Sequence, residues 1–506
     1  MPADVCLLLE GTWPYVAGGV STWIQQILEA MPHLRFSILY LGADRAAPRA
    51  YKYPIPSNVV TIVEIFLQDL GKAPPGGIGR SSISGNDWAA IDDCQRCFAE
   101  GEIPDLAATC AVLDRFRDDD DFLANLAHSP QGWNLVVQQY MEMAPAGTPF
   151  LHYFWTNRFI NITALNILRT HLPEARIYHS ACTGYAGLLG AKARAINDRP
   201  FILTEHGIYQ RERRIEIFNA AWIRDQNRRE FLDLRDSQGV FKEWWTRFFQ
   251  AQSRAAYASA DAITTLFDAN RLSQIEAGAD PERLRIIPNG ITIAPFLALP
   301  LSERQPGNPL RIGFVGRVTG IKDVKTFLQA LGLLRDRGVA FAAYIIGPYD
   351  EEEGYAAECR ELAVGLNLGG LLTFTGRVNV LEWYRRLDVV VLTSLSEGLP
   401  FVILEANAAG IPVVATEVGA CRELLNGRTP EDRALGSSGL VTPVASPAAT
   451  ATALEELSRQ PGLCRNMGLA GRERVRRFYD LRDVMTQYQE LYESFLYAGQ
   501  DAAGAD

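Results

Sequence analysis

The sequence predicts an α/β protein built from two doubly wound parallel sheets. Three observations carry that prediction. Short apolar runs alternate with amphipathic stretches of helical length along most of the 506 residues. A proline-rich break at 295–309 separates two such series. The second series holds six strand-like runs spaced by helix-length intervals, the pattern of a parallel sheet covered by helices on both faces.

In the first series, residues 5–9, 36–41 and 59–67 read as buried strands, each short, apolar and bounded by Gly, Pro or charge. Between the first two lies Gly18-Gly19, followed by Val20, Ile24, Ile27 and Leu28 at helical spacing. That is a β-loop-α-β unit with a glycine pair at the helix start. From 71 to about 147 the pattern breaks. Residues 72–85 are rich in Gly, Pro and Ser and read as a loop, and 87–126 reads as charged helix poorly matched to a sheet. This stretch is expected to be an insertion in the first domain. Strand-like runs resume at 150–155, 177–181, 201–204 and 262–266, and 211–257 reads as one or two helices. Pro295, Pro300, Pro306 and Pro309 mark a linker. The second series places strands at 311–315, 342–346, 372–375, 389–392, 412–416 and 439–442. A last helix near 482–496 gathers Val484, Tyr488, Leu491, Tyr492 and Phe495 on one face. The expected domains are 1–300, 301–478 and a helix at 479–506 that packs back on the first domain.

Composition narrows the function classes. Hydrophobic residues make up 48% and charged residues 21%, which excludes general disorder. Lys+Arg is 49 against Asp+Glu 59, a formal charge of −10, which argues against nucleic acid as the main ligand. No run approaches the roughly 18 apolar residues of a membrane span. The opening Met1-Pro2-Ala3-Asp4 has no basic flank for an export signal. Eight scattered cysteines read as reduced thiols rather than a disulfide framework. A cytoplasmic protein with no direct membrane span is expected.

Ligands of doubly wound sheets bind beyond the carboxyl ends of the strands. Two α/β domains joined by a linker therefore predict a ligand between them, and the chemistry is sought just after each strand. After 311–315 come Gly316, Arg317 and Lys322, then a helix with Val324, Phe327, Leu328 and Leu331. A guanidinium fork, a mobile ammonium and a helix N-terminus together suit a diphosphate. Two solvated basic side chains are the alternative. No G-x-G-x-x-G or Walker A loop is present. After 389–392 comes Ser394-Leu395-Ser396-Glu397-Gly398-Leu399-Pro400-Phe401-Val402-Ile403-Leu404-Glu405-Ala406, with Pro400 placed as the first helical residue. Glu397 and Glu405 could hold sugar hydroxyls, and amides near 398–402 could meet a phosphate. The alternative is a helix-dipole carboxylate plus a solvated glutamate.

Glu397 and Glu405, seven residues apart in this setting, resemble the signature of retaining GT-B glycosyltransferases, family 4 (the glycogen-synthase-like group). Arg317 and Lys322 resemble that family's phosphate-binding pair. Arg285-Ile286-Ile287-Pro288-Asn289-Gly290-Ile291 resembles its segment before the interdomain linker, and Gly18-Gly19-Val20 its N-terminal glycine loop. A closer likeness, to the Pel exopolysaccharide glycosyltransferases, lies in residues 9–21 and in Thr204-Glu205-His206-Gly207-Ile208-Tyr209-Gln210-Arg211-Glu212-Arg213. The resemblance implies a GT-B fold, two Rossmann-like domains facing each other across a cleft. It also implies a UDP-sugar donor (UDP-glucose or a UDP-N-acetylhexosamine), a polysaccharide acceptor, and inner-membrane synthesis and export partners that recruit the enzyme. The same reading expects no cofactor or metal, since two cations plus a helix end could replace a metal. Arg317 and Lys322 would neutralise the leaving diphosphate, and Glu405 would bind the ribose. Glu397 would contact the donor sugar, with the amides of Gly398, Leu399 and Phe401 nearby. Arg377 and Val378 would lie against the base. Gly18 and Gly19 would let the backbone approach the diphosphate, and His206 would sit near the reacting sugar. An α-glucan synthase and a non-catalytic nucleotide-sugar-binding subunit remain as alternative readings.

Other patterns carry less. Asp118-Asp119-Asp120-Asp121 contains Asp-x-Asp but follows no core strand. Cys94 and Cys97 lack the second pair of a zinc site. His152 and His179, after strand starts, could line the acceptor side, with a core or a surface place as the alternative. Asn161-Ile162-Thr163 is a glycosylation pattern that a cytosolic protein would not use. Trp244, Trp245, Phe248 and Phe249 read as packing rather than docking.

Overall fold

The computed structural model describes residues 2–46, 49–67, 83–119, 121–220, 223, 239–301, 304–305 and 307–497. The chain divides into two units. One comprises Met1–Thr265, Arg271–Arg285 and Gln489–Asp506, the other Leu266–Asn270 and Ile286–Tyr488.

The first unit carries β1 (Ala3–Glu10), β2 (Phe36–Gly42), β3 (Val59–Phe66), β4 (Ala175–Ser180), β5 (Phe201–Glu205), β6 (Ala262–Thr265) and β7 (Leu284–Ile286). They form one sheet in the order β3-β2-β1-β4-β5-β6-β7. The pairs around β1, β2, β4 and β5 are parallel, with Val5 opposite Phe36 and Ile177. β2 is buried along its whole length, as a central parallel strand covered on both faces must be. β7 is only three residues long, too short for a periodicity to reveal.

Two expectations for this unit change. Residues 150–155 form no strand. They open a helix, Phe150–Arg169, that buries Tyr153, Asn157, Ile160, Ala164 and Leu168 at steps of three and four. A short aromatic run fits either period by itself, and the residues after it decide. Residues 87–126 form three helices, Gly85–Glu100, Leu106–Arg115 and Phe122–His128, and these pack well. Ile91, Cys94, Phe98 and Leu113 share one core with Leu8, Leu39 and Leu41 of the sheet. Their charges lie on the other face, which made the segment look unmatched. Ser84 caps the first of these helices through a reciprocal bond with Asp87. The loop expected at 72–85 lies outside the described residues up to 82, as does the middle of 211–257. The described parts of 211–257 are the end of Tyr209–Asn219, Ile223, and most of Val240–Ser259.

The second unit carries β8 (Leu310–Val315), β9 (Phe341–Ile346), β10 (Leu372–Gly376), β11 (Val389–Leu392), β12 (Val413–Thr416) and β13 (Gly439–Thr442). Their order is β10-β9-β8-β11-β12-β13, with parallel pairing throughout. The order reverses between β8 and β11, so the ends of those two strands flank the switch point where such sheets bind ligands. The proline-rich stretch lies within this unit. Ala294–Leu297 is a short helix, and Ser302, Glu303 and Pro306 of the expected linker lie outside the described residues.

The final helix, Leu481–Leu496, buries Val484, Met485, Tyr488, Leu491, Tyr492 and Leu496, while Phe495 is only half-buried. Its start is anchored in the second unit, where Leu481 N–H bonds to Ile291 O at 3.0 Å. Its end belongs to the first. Tyr492 shares a 2.7 Å hydrogen bond with His179 and packs edge-on against Phe36. Among the described residues no helix is long and apolar enough to cross a membrane.

Candidate functional site

The second unit brings Lys322 and Glu397 together. β8 is followed by Gly316, and the loop after β9 turns at Gly347, whose φ is +148°. A Cβ on Gly347 would lie 2.1 Å from Gly316 O, so these two strand-end loops can pass only because Gly347 is glycine. Arg317 follows on the exposed side, and Val318 is buried beneath it. A 3-10 turn, Gly320–Lys322, leads to the helix Val324–Asp336, which buries Val324, Phe327, Leu328 and Leu331 as expected. Asp323 caps that helix in a left-handed conformation, its carboxylate accepting from Thr326 N–H at 3.2 Å. This revises the expectation that the helix end is available to a ligand. Its N-terminal positive charge is already met by Asp323.

The loop after β11 is bound to this turn. Leu395 N–H donates to Ile321 O at 2.9 Å, and the Thr393 hydroxyl donates to Asp323 O at 2.9 Å. Lys322 Nζ donates to Glu397 Oε1 at 2.5 Å, and the Ser394 hydroxyl donates to the same oxygen at 2.6 Å. Both charged side chains are largely buried, at 20% and 11% exposure. Gly419, φ +50°, lies beneath: a Cβ there would approach Glu397 O to 2.2 Å. Ala420 N–H donates to Gly398 O at 2.9 Å. The glutamate loop therefore rests on the turn after β12.

Pro400 is the N-cap of the helix Phe401–Ala408 rather than its first residue. Leu399 is buried in the core, so only its backbone can serve a ligand, while Gly398 and Phe401 are half-buried. Glu405, on that helix, accepts from the Tyr384 hydroxyl at 2.8 Å. Burial pushes its pKa up, and the Tyr384 bond offsets part of that shift. Arg377 and Val378 lie exposed in the loop after β10.

Arg317 does not join Lys322 in a bare cationic pair. Its guanidinium bonds Glu351 at 2.5 Å, and Glu352 accepts from Gly320 N–H at 2.9 Å. Two consecutive carboxylates from the loop after β9 thus hold two donors of the expected phosphate loop. Sequence reasoning missed both, although the acidic run Asp350–Glu353 directly follows a strand, where ligand groups are sought. It also missed Tyr384, for which no local signal exists.

In the first unit, Gly18 caps and Gly19 opens the helix Gly19–Ala30. Among the described residues a Cβ on either would meet nothing within 4 Å, so no packing contact with them demands glycine there. His206 follows β5, half-buried, its ring 4.7 Å from that of Trp23 in an edge contact. The preceding Glu205 is buried and accepts from Thr183, Tyr209 N–H, Tyr257 and Gln274 at 2.5–3.1 Å. Glu10, at the end of β1, accepts from the Tyr209 hydroxyl and Tyr185 N–H.

His179 is a core residue. It sits between Tyr492 and Thr204, and burial pushes its pKa down to about 3. His152 lies on the Phe150–Arg169 helix, not after a strand. Cys94 is buried and Cys97 half-buried, both with raised pKa values dominated by burial. Asp120 lies outside the described residues. Among the described residues no three His, Cys, Asp or Glu side chains are grouped to hold a metal.

Comparison with known proteins follows this geometry. Residues 3–282 match the family described as Domain of unknown function (DUF3492). The chain belongs to that family. Beyond the DUF3492 region, residues 309–460 match Glycosyl transferases group 1, and that match holds Arg317, Lys322, Glu397 and Glu405. A D-inositol 3-phosphate glycosyltransferase of Streptomyces bingchenggensis is 28% identical over 218 residues, 40% of this chain and 46% of the relative. The chain thus spans about half the length of the curated relatives it matches. HepE of Anabaena, solved with UDP, superposes with a TM-score of 0.58 at 15% identity, over 97% of this chain and all of that one. Sucrose-phosphate synthase of Thermosynechococcus elongatus superposes at 0.55 and 18% identity, over 98% of this chain and all of that one. The DUF3492 chain shares with them the GT-B fold of two Rossmann-like parallel-sheet domains.

Proposed function

We propose that this protein is a retaining glycosyltransferase of the family 4 type. It would move a hexose or N-acetylhexosamine from a UDP-sugar to a growing Pel-type bacterial exopolysaccharide, working in the cytoplasm beside membrane-bound synthesis and export proteins. The observation that carries the reading is the Lys322–Glu397 pair at the switch point of the second sheet, with Glu405 on the adjoining helix, inside the Glycosyl transferases group 1 match. HepE was solved with UDP, which supports the choice of nucleotide.

Each residue has a role in this reading. Arg317 and Lys322 stabilise the negative charge that grows on the leaving diphosphate, and preorganised cations are the main catalytic device for such a step. Glu405 accepts the ribose hydroxyls. Glu397 fixes Lys322 and meets the donor sugar, with the amides of Gly398, Leu399 and Phe401 beside it. Arg377 and Val378 serve the base. Gly18 and Gly19 leave room for the diphosphate, and His206 serves the reacting sugar. The bond from the anomeric carbon to the phosphate oxygen breaks with its electrons going to the phosphate. The acceptor hydroxyl attacks from the same face and passes its proton to that phosphate. Glu397 is not assigned as a covalent nucleophile in this scheme; its Oε1 holds Lys322 and Ser394.

One observation favours a second reading, a nucleotide-sugar-binding subunit without turnover: both cations are already paired with carboxylates. Calorimetric titration with UDP, ADP and GDP in EDTA, on wild type and Lys322→Ala, tests the donor site. Selective UDP binding that survives EDTA and weakens in the variant is expected. Folded wild type that binds no nucleotide overturns the assignment. Tight UDP binding without transfer to any polysaccharide acceptor selects the second reading.

A further inference from the structure

Two loops of the second unit run side by side where its central strands end. Val318 N–H bonds Pro348 O at 2.9 Å, which sets the loop after β9 against the turn that carries Arg317, Gly320 and Lys322. From that loop Glu351 accepts from the Arg317 guanidinium at 2.5 Å, and Glu352 accepts from Gly320 N–H at 2.9 Å. The second bond leaves a helix uncapped. Glu352 is the N-cap of the helix Glu353–Gly365, yet its side chain makes no bond to that helix. The first amides of a helix have no intrahelical acceptor and carry the positive end of its dipole, so a carboxylate placed there ordinarily serves its own helix. Glu352 serves the neighbouring turn instead.

We propose that Glu351 and Glu352 are displaceable stand-ins for the two phosphate groups of a diphosphate, and that Glu352 turns to cap its own helix when the diphosphate takes Gly320 N–H. The inference rests on the donor-site reading and deepens it by naming what fills the site before the donor arrives. Three features point to it. The donors that the two carboxylates hold, a guanidinium and a backbone amide, are of the kind that bind phosphate oxygens. Two consecutive carboxylates present two anionic groups to one turn, as a diphosphate does. Both side chains are exposed, so their exchange for a ligand costs little. Glu352 also has a second seat, the open first turn of its helix, and a purely structural contact has no need of one. The like charge of an arriving diphosphate drives both carboxylates off the turn. Their return helps the same group to leave.

The test has two readouts on the full-length protein. Calorimetric titration with UDP, UMP and inorganic pyrophosphate compares wild type with the double variant Glu351→Gln, Glu352→Gln. Both side chains are exposed, so the variant is expected to melt with wild type. It is expected to bind UDP and pyrophosphate about tenfold more tightly, and UMP no more than about threefold, since one phosphate group displaces one carboxylate. Hydrogen exchange followed by mass spectrometry reads the turn of Glu352. UDP is expected to slow exchange at residues 353–356 in wild type and not in Glu352→Ala. Unchanged or weaker UDP binding by the double variant overturns the proposal and leaves the donor site standing. Exchange at 353–356 that UDP leaves unchanged, or slows equally in Glu352→Ala, overturns it as well. Pyrophosphate binding that tightens in the double variant, with no UDP binding, upholds the stand-ins while the nucleotide reading falls. Failure of every form to bind UDP or pyrophosphate overturns both.

Discussion

The two sheets share one strand order through six strands, yet their carboxyl ends are furnished differently. In the first, the strand-end carboxylates are locked. Glu205 is buried and meets four donors, and Glu10 ties Tyr185 to Tyr209. In the second, one pair is exchangeable. Arg317 and Glu351 form a pair in which both side chains are about half exposed, whereas Lys322 and Glu397 form a largely buried pair whose shared oxygen also accepts from Ser394. A buried carboxylate with every acceptor site engaged shapes a platform. A half-exposed ion pair costs little to open and leaves a charge for something else. The same topology thus carries carboxylates locked by buried donors on one unit and an openable surface ion pair, Arg317–Glu351, on the other.

That contrast can be broken from either side. The largest effect is expected for Glu205→Ala, which strands several buried donors at about 1–3 kcal/mol each. A stability loss of about 4 kcal/mol or more in denaturant titration follows, and a loss under about 1 kcal/mol would show that Glu205 is not structural. Next, Lys322→Ala and Arg317→Ala are each expected to lower turnover at least about a hundredfold in folded protein, near 3 kcal/mol of transition-state stabilisation; melting is expected to stay unchanged for the exposed Arg317 and to fall for Lys322, whose loss strands the largely buried Glu397. Wild-type rates would remove them from catalysis.

Glu405 gives a pH signature. Its pKa lies above the usual 4.5 in the ligand-free protein because burial disfavours the charge. The folded state therefore holds this proton more tightly than the unfolded chain. Its contribution to stability is present below 4.5 and is lost as pH rises through the folded value. Ribose binding runs the other way, since it uses the carboxylate. UDP affinity is expected to fall on acidification while pH is still above 4.5, and Glu405→Gln is expected to flatten the profile. The smallest effect belongs to Glu351→Gln. Freeing Arg317 from a half-exposed pair is expected to tighten UDP binding by no more than about fivefold. Weaker binding in that variant would mean that Glu351 helps the nucleotide rather than competing with it.

The second sheet was the most legible part of the sequence. Its strands are buried on both faces, so they read as continuous apolar runs between Gly, Pro and charge, and all six lie where those runs predicted. Arg317, Lys322, Glu397 and Glu405 were singled out because strand ends are where such sheets keep their chemistry. Their partners were not. Glu351 lies 34 residues from Arg317 and Tyr384 lies 21 from Glu405, and no periodicity relates positions brought together by two separate strands. The first unit was harder. Its aromatic run at 150–155 fits both periods, and the charged faces of 87–126 hid the apolar face that joins the core.

The helix Leu481–Leu496 has a consequence for how the first unit is made. Tyr492 completes the packing around Phe36 and hydrogen-bonds His179, so the first unit's core borrows a side chain from far along the chain. A ribosome releases the DUF3492 region more than two hundred residues before it delivers that tyrosine. Until then the nascent first unit waits with one wall open, and its core closes only after the second sheet's strands have been made.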